Sequence, residues 1–431
     1  MKWPSGITPT SEYQASVDFI SEAEGHLFIT GRAGTGKSTL LRSIREFLGD
    51  TAVVLAPTGL AAVNVGGQTI HSFFGFPPRL IGLDDIRRSR NGRVMRKLDY
   101  LIIDEISMVR SDVMWAIDQS LRVNRGRARE PFGGMRLILF GDLYQLPPVV
   151  RGEEVQILED NYNGPFFFTI SSLSEGAGMH YLELQQVFRQ TDEVLVEVLN
   201  SIRAGQVTEQ HLQILNARVS PIRTLSEGQS FVILTPTNAA ANRINLAYLN
   251  ALSGDPTVFE ARVVGDFNTN AFPTEENLTL KAGAKVMLLR NDPEQRWVNG
   301  TIAEISCLKE DRIWVKIDGR DYEVEPVEWE NRRYSYDQEK EKVVETVAGT
   351  FKQFPLRLAW ALTIHKSQGL TLDQVYIDFG RGTFAHGQAY VALSRCRSLA
   401  GMALARHLRR SDILFDPGAS AYEHKFPTLL A

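Results

Sequence analysis

Cysteine is almost absent from this 431-residue chain: Cys307 and Cys396 stand far apart and form no C-x-x-C pair. That spacing argues against a disulfide framework and a cysteine-based zinc site, fits a reducing compartment, and leaves both thiols to be expected buried. Long apolar runs are missing as well. No stretch approaches the ~20 residues of a membrane helix, and the first thirteen residues lack the charged-then-apolar pattern of a secretory signal. The expectation is a cytoplasmic chain with no membrane partner. Positive charge is not in excess either, since 47 Lys and Arg face 51 Asp and Glu, a net of −4. A polyanion would therefore have to meet a local patch. With no low-complexity segment or linker, and at ~150 residues per domain, the length allows two or three closely packed domains.

What is present is a set of short, β-rich runs, apolar on both faces: HLFITG (26–31), AVVLAPT (52–58), YLIIDE (100–105) and RLILFGD (136–142). They read as buried parallel strands of an α/β sheet, with ligand chemistry at their carboxyl ends. FVILTPT (231–237) and QVYIDFG (374–380) repeat this grammar and suggest a second α/β domain. Between them, 283–347 alternates polar and apolar residues and carries the turn DGRD (318–321), which reads as antiparallel hairpins inserted into that second domain.

GRAGTGKS (31–38) satisfies G-x-x-x-x-G-K-[ST] between a predicted strand and the amphipathic stretch TLLRSIREFL. Gly34, Thr35, Gly36, Lys37, Ser38 and Thr39 would wrap phosphates with backbone N–H groups at a helix start, Lys37 would face the β and γ phosphates, and Ser38 would hold Mg²⁺. Asp104 and Glu105 end an apolar strand, where acids are costly without a ligand. Asp104 would then serve the metal and Glu105 would activate water. GDLYQLPP (141–148) closes another strand with two prolines, placing Gln145 to sense the γ-phosphate.

Taken in order, GRAGTGKST, APTGLAA, DEISM, GDLYQLPP, VFRQ, TIHKSQG and YVALSRCR resemble the motif series of superfamily one helicases. TIHSFFG (69–75), DEISMV (104–109), EPFGG (130–134) and GDLYQLPPV (141–149) are similar to the petite-integration-frequency (PIF) helicase family in its short bacterial form. The resemblance runs from Gln14 to about Arg397. It implies an α/β fold of two RecA-like parallel-sheet domains: 1–182, with a small strand-separating insertion at about 68–97, and 183–282 with 347–431, interrupted by an SH3-like all-β insertion at 283–346.

By position, the resemblance implies that Gln14 recognises adenine and that Gly369 joins the nucleotide contacts. Gln145 would couple the γ-phosphate to DNA, and Arg189 and Arg395 would reach the phosphates from the second α/β domain. Single-stranded DNA would meet Thr58, His71, Ser72, Phe73, Asn238, His365 and Lys366. On residues alone, Phe73, Phe74 and Phe76 could equally pack a loop onto the core, and Phe166, Phe167 and Phe168 read as core. Two basic clusters, the seven Lys/Arg within 79–97 and Arg122, Arg125, Arg127 and Arg129, could be DNA contacts or solvated faces.

The implied activity is ATP- and Mg²⁺-dependent 5′-to-3′ unwinding of forked duplex, G-quadruplex DNA and DNA–RNA hybrids. The implied setting is genome maintenance (repair, recombination, telomere maintenance) by a monomer at the bacterial nucleoid. An RNA helicase, a non-unwinding translocase, a P-loop phosphotransferase and a catalytically silent nucleic-acid-binding module are the alternatives.

Overall fold

A computed structural model describes residues 9–150, 152–173, 178–190, 192–221, 231–337, 342–423 and 425–430. Strands β1 (His26–Gly31), β2 (Ala52–Ala56), β3 (Gln68–Thr69), β4 (Tyr100–Ile103), β5 (Arg136–Phe140) and β6 (Met179–Leu184) form one sheet in the order β3-β2-β4-β5-β1-β6. Every pairing in it is parallel. β1 and β2 are buried along their whole length, as strands covered on both faces must be. Helices α1 (Ser11–Glu22), α2 (Lys37–Leu48), α3 (Gly59–Asn64), α4 (Ile70–Phe74), α5 (Gly92–Lys97) and α6 (Ser111–Arg125) accompany this sheet.

A second all-parallel sheet is built from β7 (Val232–Thr235) and the strands Ala361–Thr363, Val375–Ile377 and Met402–Leu404. In both sheets the motif-bearing turns follow the strands' carboxyl ends. These are two RecA-like units, and the motifs read from sequence lie where parallel sheets present ligands.

The antiparallel strands Lys285–Leu288, Ile302–Lys309, Arg312–Ile317, Arg320–Val324 and Leu356–Leu358 make a five-stranded sheet. One of its two-residue turns is Asp318-Gly319, where φ values of 49° and 79° supply the two left-handed residues of a primed hairpin turn. Antiparallel pairing begins before 283, at Thr257–Glu260 against Asn277–Leu280, and reaches past 346. Phe259, Leu278 and Leu280 join the core of the five-stranded sheet, which ties these outlying strands to it.

Three sequence readings need correction. Cys307 is exposed, not buried: a register irregularity between Ile305 and Cys307 breaks the strand's alternation there. Residues 417–423 and 425–430, grouped above with the second α/β domain, pack on the first. Tyr422 is buried between Phe28, Phe167 and Phe168, and Leu429 N donates to Tyr181 O on β6. Tyr422 finds its apolar surface in the core on the sheet's face, around Phe28, while the backbone at Leu429 pairs with the open edge at β6.

Phe73 is the third. It is 1% exposed and packs edge-on against Phe74 and Tyr334, so its ring offers no face to a base. Tyr334 comes from a long hairpin, Val327–Asp337 paired with Lys342–Gln353, which reaches back to the first unit. There the Tyr334 hydroxyl accepts from Val54 N at 3.1 Å and Arg45 pairs with Glu345. Phe74 and Phe76 stack on each other at 5.1 Å, nearly parallel, inside the same core.

Candidate functional site

The turn after β1 is shaped by glycines where no other residue fits. Gly34 has φ +87°, and a side chain there would collide with Cβ of Arg189. Gly34 O also accepts from Phe188 N at 2.9 Å, so the segment after β6 backs directly onto the phosphate loop. Lys37 opens α2, and its Nζ donates to the carbonyls of Gly31 and Arg32 at 2.5 and 3.0 Å, holding the ammonium at the mouth of the loop. Tyr390 from the second unit accepts from Ala33 N at 3.1 Å, and Tyr13 from α1 donates to Gly36 O at 2.9 Å.

Around this loop lies a cavity of about 310 Å³. Its walls include Ala33 to Thr39, Glu105 and Gln145 from the first unit, with Gly369, Thr371 and Arg395 from the second. Phe188 and Arg189 line it from the connection between them. Of the residues read as nucleotide contacts, Gly34, Thr35, Gly36, Lys37, Ser38, Thr39, Gly369, Glu105, Gln145, Arg189 and Arg395 are thus brought together. Gln14 is not among the lining residues: it is exposed and its amide donates to Asp18 at 2.8 Å. Asp104 stands one residue behind Glu105 at the end of β4, its N–H extending the ladder to Leu55 O.

Glu105 adopts φ +49°, a left-handed conformation disfavoured for a side-chain-bearing residue. Burial, and after it the charge of neighbouring Asp104, push its carboxyl up to about 7 against the opposing charges of Lys37 and Arg395. Asp104 is itself pushed up to about 6 by burial. The cations are shifted the opposite way. Burial lowers Lys37, opposed by Asp142 and Glu105. Arg395 falls to about 9 through burial and then the charge of Arg189, and Arg189 falls to about 10 through burial. A cavity that strains three cations toward losing their protons is one that a multiply charged anion would relieve.

Arg395 is 1% exposed and rigidly held, its Nε donating to Val391 O at 2.8 Å and Nη2 to Ser394 Oγ at 2.8 Å. Arg189 donates from Nη2 to Gly369 O at 3.0 Å, while its buried Nη1 has no acceptor among the described residues. Sequence reading passed over Gln368. Its Nε2 reaches both Glu105 Oε2 at 3.0 Å and Gln145 Oε1 at 3.2 Å, so one amide from the second unit touches two residues of the first. Its place beside Lys366 in TIHKSQG was the available signal. Tyr390 and Tyr13 were passed over too, because an aromatic in an apolar stretch gives no sign that its hydroxyl is used.

The residues read as a DNA track stand at turns after sheet strands and on α4. Thr58 is exposed and caps α3, accepting from Ala61 N at 3.2 Å. Asn238 is exposed in the first turn of the helix Asn238–Ala251. Ser72 is exposed and accepts from Gln68 Nε2 at 2.8 Å, and half-buried His71 is lowered in pKa by burial and then by Arg110. His365 is half-buried and also lowered by burial, with Lys366 exposed beside it. Neutral imidazoles, hydroxyls and amides at such places can donate to phosphate oxygens without reading sequence.

A family model described as PIF1-like helicase matches residues 10–212. The ATP-dependent DNA helicase Pif1 of Bdellovibrio bacteriovorus is 34% identical over 443 residues, covering 99% of this chain and 95% of that protein. The ATP-dependent DNA helicase PIF1 of Mus musculus is 34% identical over 93% of this chain, which spans 61% of the mouse protein's length. Among solved structures, Bacteroides Pif1 in complex with ADP-AlF4 matches at TM-score 0.89 and 37% identity, covering 97% of each chain. Bacteroides Pif1 bound to single-stranded DNA matches at TM-score 0.70, again with 37% identity and 97% of each chain covered.

Proposed function

The chain belongs to the PIF1-like family of ATP-dependent DNA helicases, and from that membership we propose that it moves 5′ to 3′ along single-stranded DNA and opens forked duplex, G-quadruplex DNA and DNA–RNA hybrids. Genome maintenance as a monomer at the nucleoid belongs to the same reading. One observation carries it furthest: the phosphate loop of one RecA-like unit and Arg395 of the other face a single cavity. Nucleotide held there would touch both units at once, and its hydrolysis would remove the anion that makes their approach favourable.

In this reading Glu105 takes the proton of the attacking water, and its elevated pKa suits a base working near neutrality. Gln145 and Gln368 orient the water and report the γ-phosphate to the second unit. Arg189 and Arg395 stabilise charge growing on the γ-phosphoryl oxygens, with their desolvation strengthening the effect. A carboxylate desolvated as Asp104 is, together with the exposed hydroxyl of Ser38 in the first turn of α2, fits a hard cation, and these two residues would hold Mg²⁺. The ion would supply charge neutralisation to the β and γ phosphates.

Lys37→Ala tests the proposal. Hydrolysis and unwinding of a forked substrate should be lost while affinity for single-stranded DNA stays within about twofold, because Lys37 faces the phosphate loop and none of the track residues. Normal unwinding by Lys37→Ala would end the proposal. DNA and RNA strands of one sequence, compared as activators of hydrolysis at one salt concentration, separate the DNA helicase from an RNA helicase.

A further inference from the structure

The loop that carries Gln145 is gripped by residues of the second unit that are not among the walls of the nucleotide cavity. Gly387, at φ +72°, packs so close that a side chain there would run into the Gln145 carbonyl. The Tyr144 ring stacks with Phe415 at 6.1 Å. Arg203, the last residue of the helix Glu193–Arg203, lays its guanidinium 4.4 Å over the same Tyr144 ring. Its Nε donates to Asp142 Oδ1 at 3.4 Å and its Nη1 to Glu183 Oε1 on β6 at 2.8 Å. Leu195, Val198, Leu199 and Ile202 seat that helix in the core of the second unit, so Arg203 leaves one unit and ends on carboxylates of the other.

The Asp142 side chain is wholly buried, and a carboxylate so placed is costly unless a cation and hydrogen-bond donors meet it. Arg203 is the cation hydrogen-bonded to it. Tyr144 N donates to Oδ1 at 3.2 Å and Gln145 Nε2 to Oδ2 at 3.1 Å. That last bond sets a direction, because an amide has one donating and one accepting end. With Nε2 spent on Asp142, Gln145 turns its Oε1 to Gln368, whose Nε2 also donates to Glu105. A reversed amide would set its own Nε2 against that of Gln368, donor facing donor.

We propose that Arg203 is a positioning residue for ATP hydrolysis: it holds Asp142 as the anion that fixes the Gln145 amide, and so ties the order of the catalytic side chains to the seating of the second unit. The inference rests on the reading of Gln145 as a γ-phosphate residue given above. Because Arg203 is not among the walls of the cavity, its loss should touch the rate of hydrolysis and spare the binding of ATP.

The experiment measures kcat and KM for ATP on the full chain with saturating single-stranded DNA. The variants are Arg203→Gln, Arg203→Lys, Glu183→Gln and Gln145→Ala, with each Arg203 substitution also combined with Gln145→Ala. Arg203→Gln should lower kcat about tenfold and leave KM within about twofold. Arg203→Lys, which keeps the charge and loses the planar fork, should lose only about threefold. Glu183→Gln removes the partner on β6, leaves Asp142 paired, and should keep kcat within about twofold. In the Gln145→Ala background neither Arg203 substitution should slow hydrolysis further, since the loss passes through a residue already removed. Equal losses in both backgrounds, or a loss from Glu183→Gln as large as from Arg203→Gln, would overturn the proposal and leave Arg203 a structural tie between units. Wild-type kcat in Arg203→Gln would overturn it as well. Should Arg203→Gln fail to fold, Arg203→Lys carries the same comparison between backgrounds. Gln145→Ala with wild-type hydrolysis would strike the reading of Gln145 and the proposal with it, whereas wild-type hydrolysis indifferent to single-stranded DNA would strike the helicase reading.

Discussion

Arg395 has two duties that a single substitution would merge. Its guanidinium lines the nucleotide cavity, yet it also donates to the Ser367 and Leu370 carbonyls, both at 3.3 Å, from a fully buried position. Arg395→Ala should therefore slow hydrolysis far more than it weakens ATP binding, and should also cost about 1–3 kcal/mol of stability through the orphaned acceptors. Single-turnover hydrolysis, nucleotide titration and denaturant melts on the same preparation separate the two. Equal losses in binding and hydrolysis would argue against a role at the γ-phosphate. At this scale sequence motifs named the residue but could not reveal that it is a structural member of its own loop. Gln368 is the complementary case, a residue whose importance comes only from what lies opposite it.

Among the elements, β1 sets the sharpest test. His26 starts it, accepting from Leu137 N of β5 on Nδ1 at 3.1 Å, and burial lowers its pKa to about 4. A depressed histidine is neutral in the fold at a pH where the unfolded chain is already protonated. Its contribution to stability is therefore full above pH ~6.5 and is lost as pH falls toward about 4. Denaturant midpoints between pH 7.5 and 5 should fall, and His26→Gln, which cannot titrate, should show a shallower fall; an unchanged slope would count against the assignment. The strands themselves were legible because a parallel strand covered on both faces must be apolar throughout. The α4 aromatics were not, since near-alternating phenylalanines look the same whether a hairpin covers them or a base does. The covering hairpin comes from more than 250 residues away in the chain.

At the scale of the whole molecule, one small cavity is walled by both RecA-like units. A non-hydrolysable ATP analogue should therefore raise the melting temperature of both units together, by about 2.7 kcal/mol of added stability at a hundred times the dissociation constant. Lys37→Ala should abolish the shift. Two separate transitions, with only the first moving, would mean that the second unit takes no part in binding nucleotide.

The phosphate loop, the acid pair after β4, the alternation of strand and turn, and the family were all legible in the chain's residues, because each is written within a few neighbours whose backbone conformation is locally specified. Long-range packing settled that Phe73 is core, that Cys307 is outside and that the tail returns to the first sheet. Those outcomes depend on which distant surfaces become adjacent, and burial and pairing are properties of the two surfaces together, not of either one alone.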